Sequence, residues 1–144
     1  MVVHGGLIAL RVREYWRGVL IDGPSGAGKS DLALRALEVG FRLVADDRVI
    51  LWVSEKRLFG RAPDTLAEKL ELHGFDVVAV PALTLSEVAL VVQCGSSERI
   101  PELTREFLLG VAIPHVQIDL RLASAPAGLR RALCHFDEAA KRRI

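Results

Sequence analysis

The chain carries almost no net charge: 19 basic against 18 acidic residues leave +1 over 144 residues. Without a basic excess there is no electrostatic reason to expect nucleic acid or an anionic membrane as the main partner. Cysteine is scarce. Cys94 and Cys134 stand far apart with no second Cys or His at metal-ligand spacing, and His73, His115 and His135 form no metal pattern either. That fits a reducing cytoplasm with thiols free or buried, a single disulfide staying open. No uninterrupted apolar stretch approaches the roughly 20 residues needed to span a bilayer. The N-terminus lacks a charged segment followed by a long apolar core. No composition shift, low-complexity stretch or internal repeat marks a second domain. The expectation is one soluble, cytoplasmic domain over residues 1–144, large enough to bury about two-thirds of its unfolded surface.

What is present is concentrated in one run. Gly23, Pro24, Ser25, Gly26, Ala27, Gly28, Lys29 and Ser30 fit the phosphate-binding loop pattern G-x-x-x-x-G-K-[ST], directly after the apolar Val19-Leu20-Ile21. Its glycines let backbone N–H groups turn inward around phosphate oxygens, Lys29 can reach the β/γ oxygens, and the Ser30 hydroxyl suits Mg²⁺. A glycine-rich turn that matches by accident is the bland reading. At roughly 7% Gly and about 6% Lys, the fixed positions should co-occur by chance in well under about 1% of such chains. Asp31 to Leu37 is rich in helix formers, so a helix should begin at about Gly28 with its N-terminus toward the anion.

Short β-rich runs recur at Leu7–Val12, Val19–Ile21, Arg42–Ala45, Val49–Val53, Arg57–Gly60, Val77–Val80, Val88–Gln93 and Val116–Leu120. Helical pattern is clear at Asp31–Val39, which Gly40 closes, and at Ala127–Lys141. Short helices are expected at Thr65–Leu70 and around Glu102–Leu109. Strand, phosphate loop, helix and strand make a βαβ unit, which predicts an α/β fold: a mixed sheet with flanking helices and its parallel part around the nucleotide. Arg13–Arg17 reads as a hairpin tip with two exposed aromatics, and a docking patch is the weaker reading. Arg130-Arg131 and Lys141-Arg142-Arg143 read as a solvated helix end.

Asp46 and Asp47 end the apolar strand Arg42–Ala45, sixteen and seventeen residues after Ser30. Two carboxylates there offer two roles in phosphoryl transfer: holding Mg²⁺, and accepting the proton of the attacking hydroxyl. The alternative is a strand-to-turn boundary, where Asp is favoured by its side-chain bonds to the backbone. A strand would point the two side chains in different directions, so they should not be equivalent. Taken alone, Glu71 in Leu70-Glu71-Leu72-His73-Gly74 reads as solvated and His4, before Gly5-Gly6, reads as a surface histidine or as a phosphate or acid/base group. Arg99 carries no local signal beyond loop position.

Taken together these residues resemble the catalytic domain of HPr kinase/phosphorylase, the bacterial enzyme that phosphorylates a serine of the phosphocarrier protein HPr. The resemblance lies in His4-Gly5, Gly18–Ile21 with the following loop, Gly40–Asp47, Glu71–Gly74 and Glu98-Arg99, which in order cover most of the chain. Its most specific element is the loop followed by Arg42-Leu43-Val44-Ala45-Asp46-Asp47. The resemblance implies that Lys29 and the loop bind ATP phosphates, that Ser30 and Glu71 hold Mg²⁺, and that Asp47 accepts the proton. It further implies that His4 and Arg99 complete the catalytic set, with Asp46 supporting the metal or orienting its neighbour. It also implies a phosphoenolpyruvate carboxykinase-like architecture and, as partner, HPr or an HPr-like carrier of a phosphotransferase system; a homo-oligomer stays open.

Three departures qualify it. The resemblance points to a short version, as in the forms of alphaproteobacteria that lack the separate N-terminal domain of the longer enzymes. The family's Glu-x-Arg-Gly-x-Gly segment reads Glu71-Leu72-His73-Gly74-Phe75-Asp76, and the Pro-Gly-Arg-Asn loop tied to dephosphorylation is replaced after Arg121 by residues near Ala123-Ser124-Ala125-Pro126. Kinase chemistry is therefore better supported than phosphorylase chemistry. Two other functions compete: a phosphate-loop nucleotidase or small-molecule kinase, and a nucleotide-sensing module without turnover.

Overall fold

The computed structural model describes residues 1–64, 69–71, 77–80, 82–95 and 104–142, with the backbone alone at 69–71, 77–79 and 137–142. The chain opens with a hairpin of β1 (Val2–Val12) and β2 (Tyr15–Asp22), in register from Gly5 opposite Asp22 to Val12 opposite Tyr15. Helix α1 (Lys29–Leu37) follows, then β3 (Arg42–Ala45), β4 (Arg48–Ser54) and β5 (Arg57–Arg61). A small two-stranded sheet of β6 (Lys69–Glu71) and β7 (Val77–Ala79) precedes β8 (Ser86–Cys94), β9 (Thr104–Leu108), β10 (Val111–Ile118) and α2 (Ala125–Arg142). Among the described residues the result is a mixed α/β fold, with an eight-stranded main sheet and two helices. Among the described residues no helix is long and apolar enough to cross a membrane.

The sheet bends back on itself. Strands run β2-β1-β4-β5-β8-β10-β9, and β8 also pairs with β2, so β2, β1, β4, β5 and β8 form a closed circuit. Alternation along the strands splits neighbours between two cores. Leu7, Leu20 and Val91 pack in one with Leu51 and Leu58; Ile8, Ile21 and Val92 pack in the other against Leu32 and Ala36 of α1 and Leu129 and Leu133 of α2. Strands buried on both faces read as continuous apolar runs, which is why Val19–Ile21 and Val88–Gln93 show no polar alternation. Glu87 on β8, nearly buried, accepts hydrogen bonds from Arg17 of β2 and Arg57 of β5, and this bond and charge hold the Arg57 guanidinium above its ordinary range.

Only part of the parallel pairing follows the expected βαβ logic. After α1 the chain enters β3, which lies beside β1 and not beside β2, because β1 already occupies that edge. The parallel neighbour of β2 is β8, itself parallel to β10. Of the helix expected around Glu102–Leu109, residues 102 and 103 lie outside the described residues, and Thr104–Leu108 is a strand antiparallel to β10. The reversal is a two-residue turn, Leu109-Gly110, with φ of 50° and 81°, the conformation that matches strand twist in hairpins. Of the helix expected at Thr65–Leu70, residues 65–68 lie outside the described residues and Lys69-Leu70 belong to β6. At the first hairpin tip Tyr15 is exposed, but Trp16 is half-buried against the core, so one aromatic is presented and not two. Both Cys94 and Cys134 are free thiols. The closing of α1 matches its glycine signal, with Gly40 at φ 100° and Phe41 N–H donating to Ala36 O at 3.1 Å. Arg130 at the solvated face of α2 reaches across to the Val39 carbonyl.

Candidate functional site

Between the end of β2 and the start of α1 the backbone must reverse around a small volume. Gly26 and Gly28 take φ of 82° and 97°, a left-handed region that side chains disfavour, and Gly28 caps the helix with its carbonyl accepting from Leu32 N–H at 2.9 Å. The first N–H groups of a helix have no partner within it, so those of Lys29, Ser30 and Asp31 constitute a ready anion site under the positive end of the helix dipole. Lys29 folds back so that its ammonium donates to the Gly23 carbonyl, across the loop mouth. Pro24, Ser25 and Ala27 complete the loop, with Ala27 N–H donating to Pro24 O at 3.1 Å.

Antiparallel pairing of β1 with β3, Leu7 opposite Ala45, sets the turn after β3 beside His4-Gly5. Asp46 and Asp47 lie in that turn, one step beyond the strand. Strand alternation is therefore not what distinguishes them. Asp47 has φ 70°, its carbonyl accepting from Gly5 N–H at 3.0 Å, while Arg48 N–H returns to Asp46 O at 2.8 Å. The backbone twist sends the carboxylates to different neighbours. Asp46, only 6% exposed, accepts a hydrogen bond from Ser30 Oγ at 2.7 Å. Asp47, half-exposed, meets His4 Nε2 at 2.7 Å, with Arg48 Nε 3.9 Å from its other oxygen.

Lys29, Ser30, Asp46, Asp47 and His4 are thus brought to one place. The side chain of Glu71 and all of Arg99 lie outside the described residues, as do Glu98 and His73 to Asp76. Among the described residues no group of three or more His, Cys, Asp or Glu side chains could hold a metal by itself. The donor set at Ser30 and Asp46, one hydroxyl and one carboxylate, fits Mg²⁺, which keeps several waters and takes phosphate oxygens as its remaining ligands. Beside His4 opens a groove of about 320 Å³ lined by Val3, Leu20, Asp22, Glu106 and Leu108.

In the sequence Arg121 stands out only as the residue before the altered loop. Its guanidinium crosses to the Gly26 carbonyl, and its side chain covers Gly28. The signal that could have found it is the end of a strand parallel to a partner of β2, since ligand sites gather at the carboxyl ends of parallel strands.

Comparisons with known proteins bear on the family and the fold. The family model described as HPr Serine kinase C-terminal domain matches residues 1–129. The HPr kinase/phosphorylase of Streptococcus salivarius is 35% identical over 134 residues, covering 83% of this chain and 42% of that protein. The protein of the same name from Clostridium acetobutylicum is 42% identical over 81 residues, 56% of this chain and 25% of its own length. The chain therefore spans less than half the length of these curated relatives. A solved structure, that of the Hpr(Ser) kinase/phosphatase from Coxiella burnetii, superposes with a TM-score of 0.80 at 22% identity, covering 100% of this chain and 99% of that one. The match over nearly the whole chain has one consequence: this chain belongs to the HPr Serine kinase C-terminal domain family.

Proposed function

We propose that this chain is an ATP-dependent protein serine kinase of the HPr kinase type, acting on HPr or an HPr-like phosphocarrier of a phosphotransferase system in the cytoplasm. The observation that carries the reading is the pairing of the acidic turn with both halves of the site: Asp46 on Ser30 at 2.7 Å and Asp47 on His4 at 2.7 Å. A metal-side carboxylate and a nucleophile-side carboxylate then flank one phosphoryl group. In this reading Gly23–Ser30 is a phosphate loop within a phosphoenolpyruvate carboxykinase-like fold, and residues 1–144 act as one catalytic domain. Lys29 leaves the Gly23 carbonyl for the β/γ oxygens. The substrate serine enters beside His4. Its oxygen bonds to the γ-phosphorus as the bond to the bridging oxygen of ADP breaks, and its proton passes to Asp47, which His4 orients. Bound Mg²⁺ supplies charge neutralisation on the phosphates. Positioning and fixed charge provide most of the acceleration. Glu71 is assigned to the metal, and Arg99 to the catalytic set, by resemblance. Phosphorylase activity is not part of the proposal, because the Pro-Gly-Arg-Asn loop is replaced.

Incubation with γ-labelled ATP, Mg²⁺ and purified HPr tests the reading. Label is expected on the HPr serine. Label appearing as free phosphate regardless of HPr would instead make the chain a nucleotidase, and ATP binding without any product would make it a sensor. The metal assignment has its own check. Ser30→Ala removes the hydroxyl that Asp46 holds, so the Mg²⁺ concentration for half-maximal transfer should rise by about tenfold or more. An unchanged Mg²⁺ titration would take Ser30 out of the metal site.

A further inference from the structure

Because β8 is parallel to both β2 and β10, the segments after β2 and after β10 emerge at the same edge of the sheet. The first is the glycine-rich loop. The second, residues 119–124, is held in place from below. Arg35 on α1 donates to the carbonyls of Leu120 and Leu122, the latter at 2.9 Å, and is itself held by Asp31 at 2.9 Å. The Asp119 carboxylate accepts Arg121 N–H at 3.0 Å, and Leu120 is fully buried. This makes a fixed ledge on which Arg121 is exposed, with Leu122 exposed beside it in the chain.

From that ledge the Arg121 side chain reaches back to the glycine-rich loop. Its guanidinium donates to Gly26 O, and its Cγ lies 3.4 Å from where a Cβ on Gly28 would stand. Phosphates bound by the loop lie on its inner side, against the helix N-terminus, so the sugar and base must leave on the side where the parallel strands end. A guanidinium tethered there by one donor offers a flat, weakly hydrated cationic face, the surface on which an aromatic ring stacks.

We propose that Arg121 is a nucleoside-contacting residue of this site, anchored on the Gly26 carbonyl and packed against the base of the bound nucleotide. The inference rests on the nucleotide reading of the loop, and it assigns the residue a role distinct from phosphate binding. Calorimetric titration of the parent and Arg121→Ala with Mg-ATP and with Mg-tripolyphosphate separates the two roles. The variant should bind ATP about 3- to 30-fold more weakly, the range of an exposed to a desolvated cation–π contact, and tripolyphosphate as the parent does. Equal weakening of both ligands would show that Arg121 acts on the loop or the phosphates and would overturn the proposal, as would unchanged ATP affinity. A parent that binds neither ligand overturns the nucleotide reading itself, so the two failures are distinct.

Discussion

Asp47→Asn is expected to leave ATP bound while phosphoryl transfer to the serine falls by about 10²- to 10⁴-fold, the usual contribution of a positioned general base. The substitution is a clean probe for a structural reason. Asp47 sits at φ 70°, and Asn is one of the few residues that adopts the left-handed region readily, so the turn should keep its shape. An Asn carbonyl can still accept a hydrogen bond from His4 Nε2, which holds the pair's geometry. What is lost is the capacity to take a proton. Asp46→Asn should behave differently, since Asp46 is buried and bonded to Ser30. Its loss should be partly restored by extra Mg²⁺. Measured ATP affinity and single-turnover transfer for both variants, across a Mg²⁺ series, decide the matter. The assignment fails if Asp47→Asn is rescued by metal and Asp46→Asn is inactive with normal ATP binding.

The features legible in the sequence are those whose cause is local. The glycine spacing, the helix formers after Lys29 and the closing Gly40 lie within one stretch of chain, and α1 with its flanking turns follows from them. Strand β3 coincides with the apolar run Arg42–Ala45 for the same reason. Features that depend on distant pairing were harder to read. Nothing near Val19–Ile21 announces that β8 will be its parallel partner, and nothing near Thr104 announces β9, whose turn uses a leucine at positive φ in place of the usual Asn or Asp. The contact of His4 with Asp47 spans 43 positions and that of Arg121 with Gly26 spans 95. Sequence spacing brought the first pair forward only through resemblance, and it left the second without a role. The two aspartates differ because of the left-handed turn at Asp47 and not because of the alternation of a strand.

Lys29→Ala should have its effect on the other half of the site. The ammonium is a point charge on a flexible stem, and in this structure it rests on the Gly23 carbonyl, one bond that a phosphate oxygen can outcompete by being charged. A hydrogen bond to a charged group contributes about 1.5–3 kcal/mol, so ATP affinity should fall by about 10- to 150-fold. Transfer should fall further, because charge on the β/γ bridge grows in the transition state, where one preorganised donor is worth about 10²–10³ in rate. Folding should be little affected. The helix cap belongs to Gly28, and Ser30 remains tied to Asp46, so the variant's thermal unfolding midpoint should stay close to the parent's. Lys29→Met, which keeps the apolar stem without the charge, should match Lys29→Ala in both binding and transfer. If either variant binds ATP and transfers phosphate as the parent does, the loop does not cradle a triphosphate, and the functional reading built on Gly23–Ser30 falls with it.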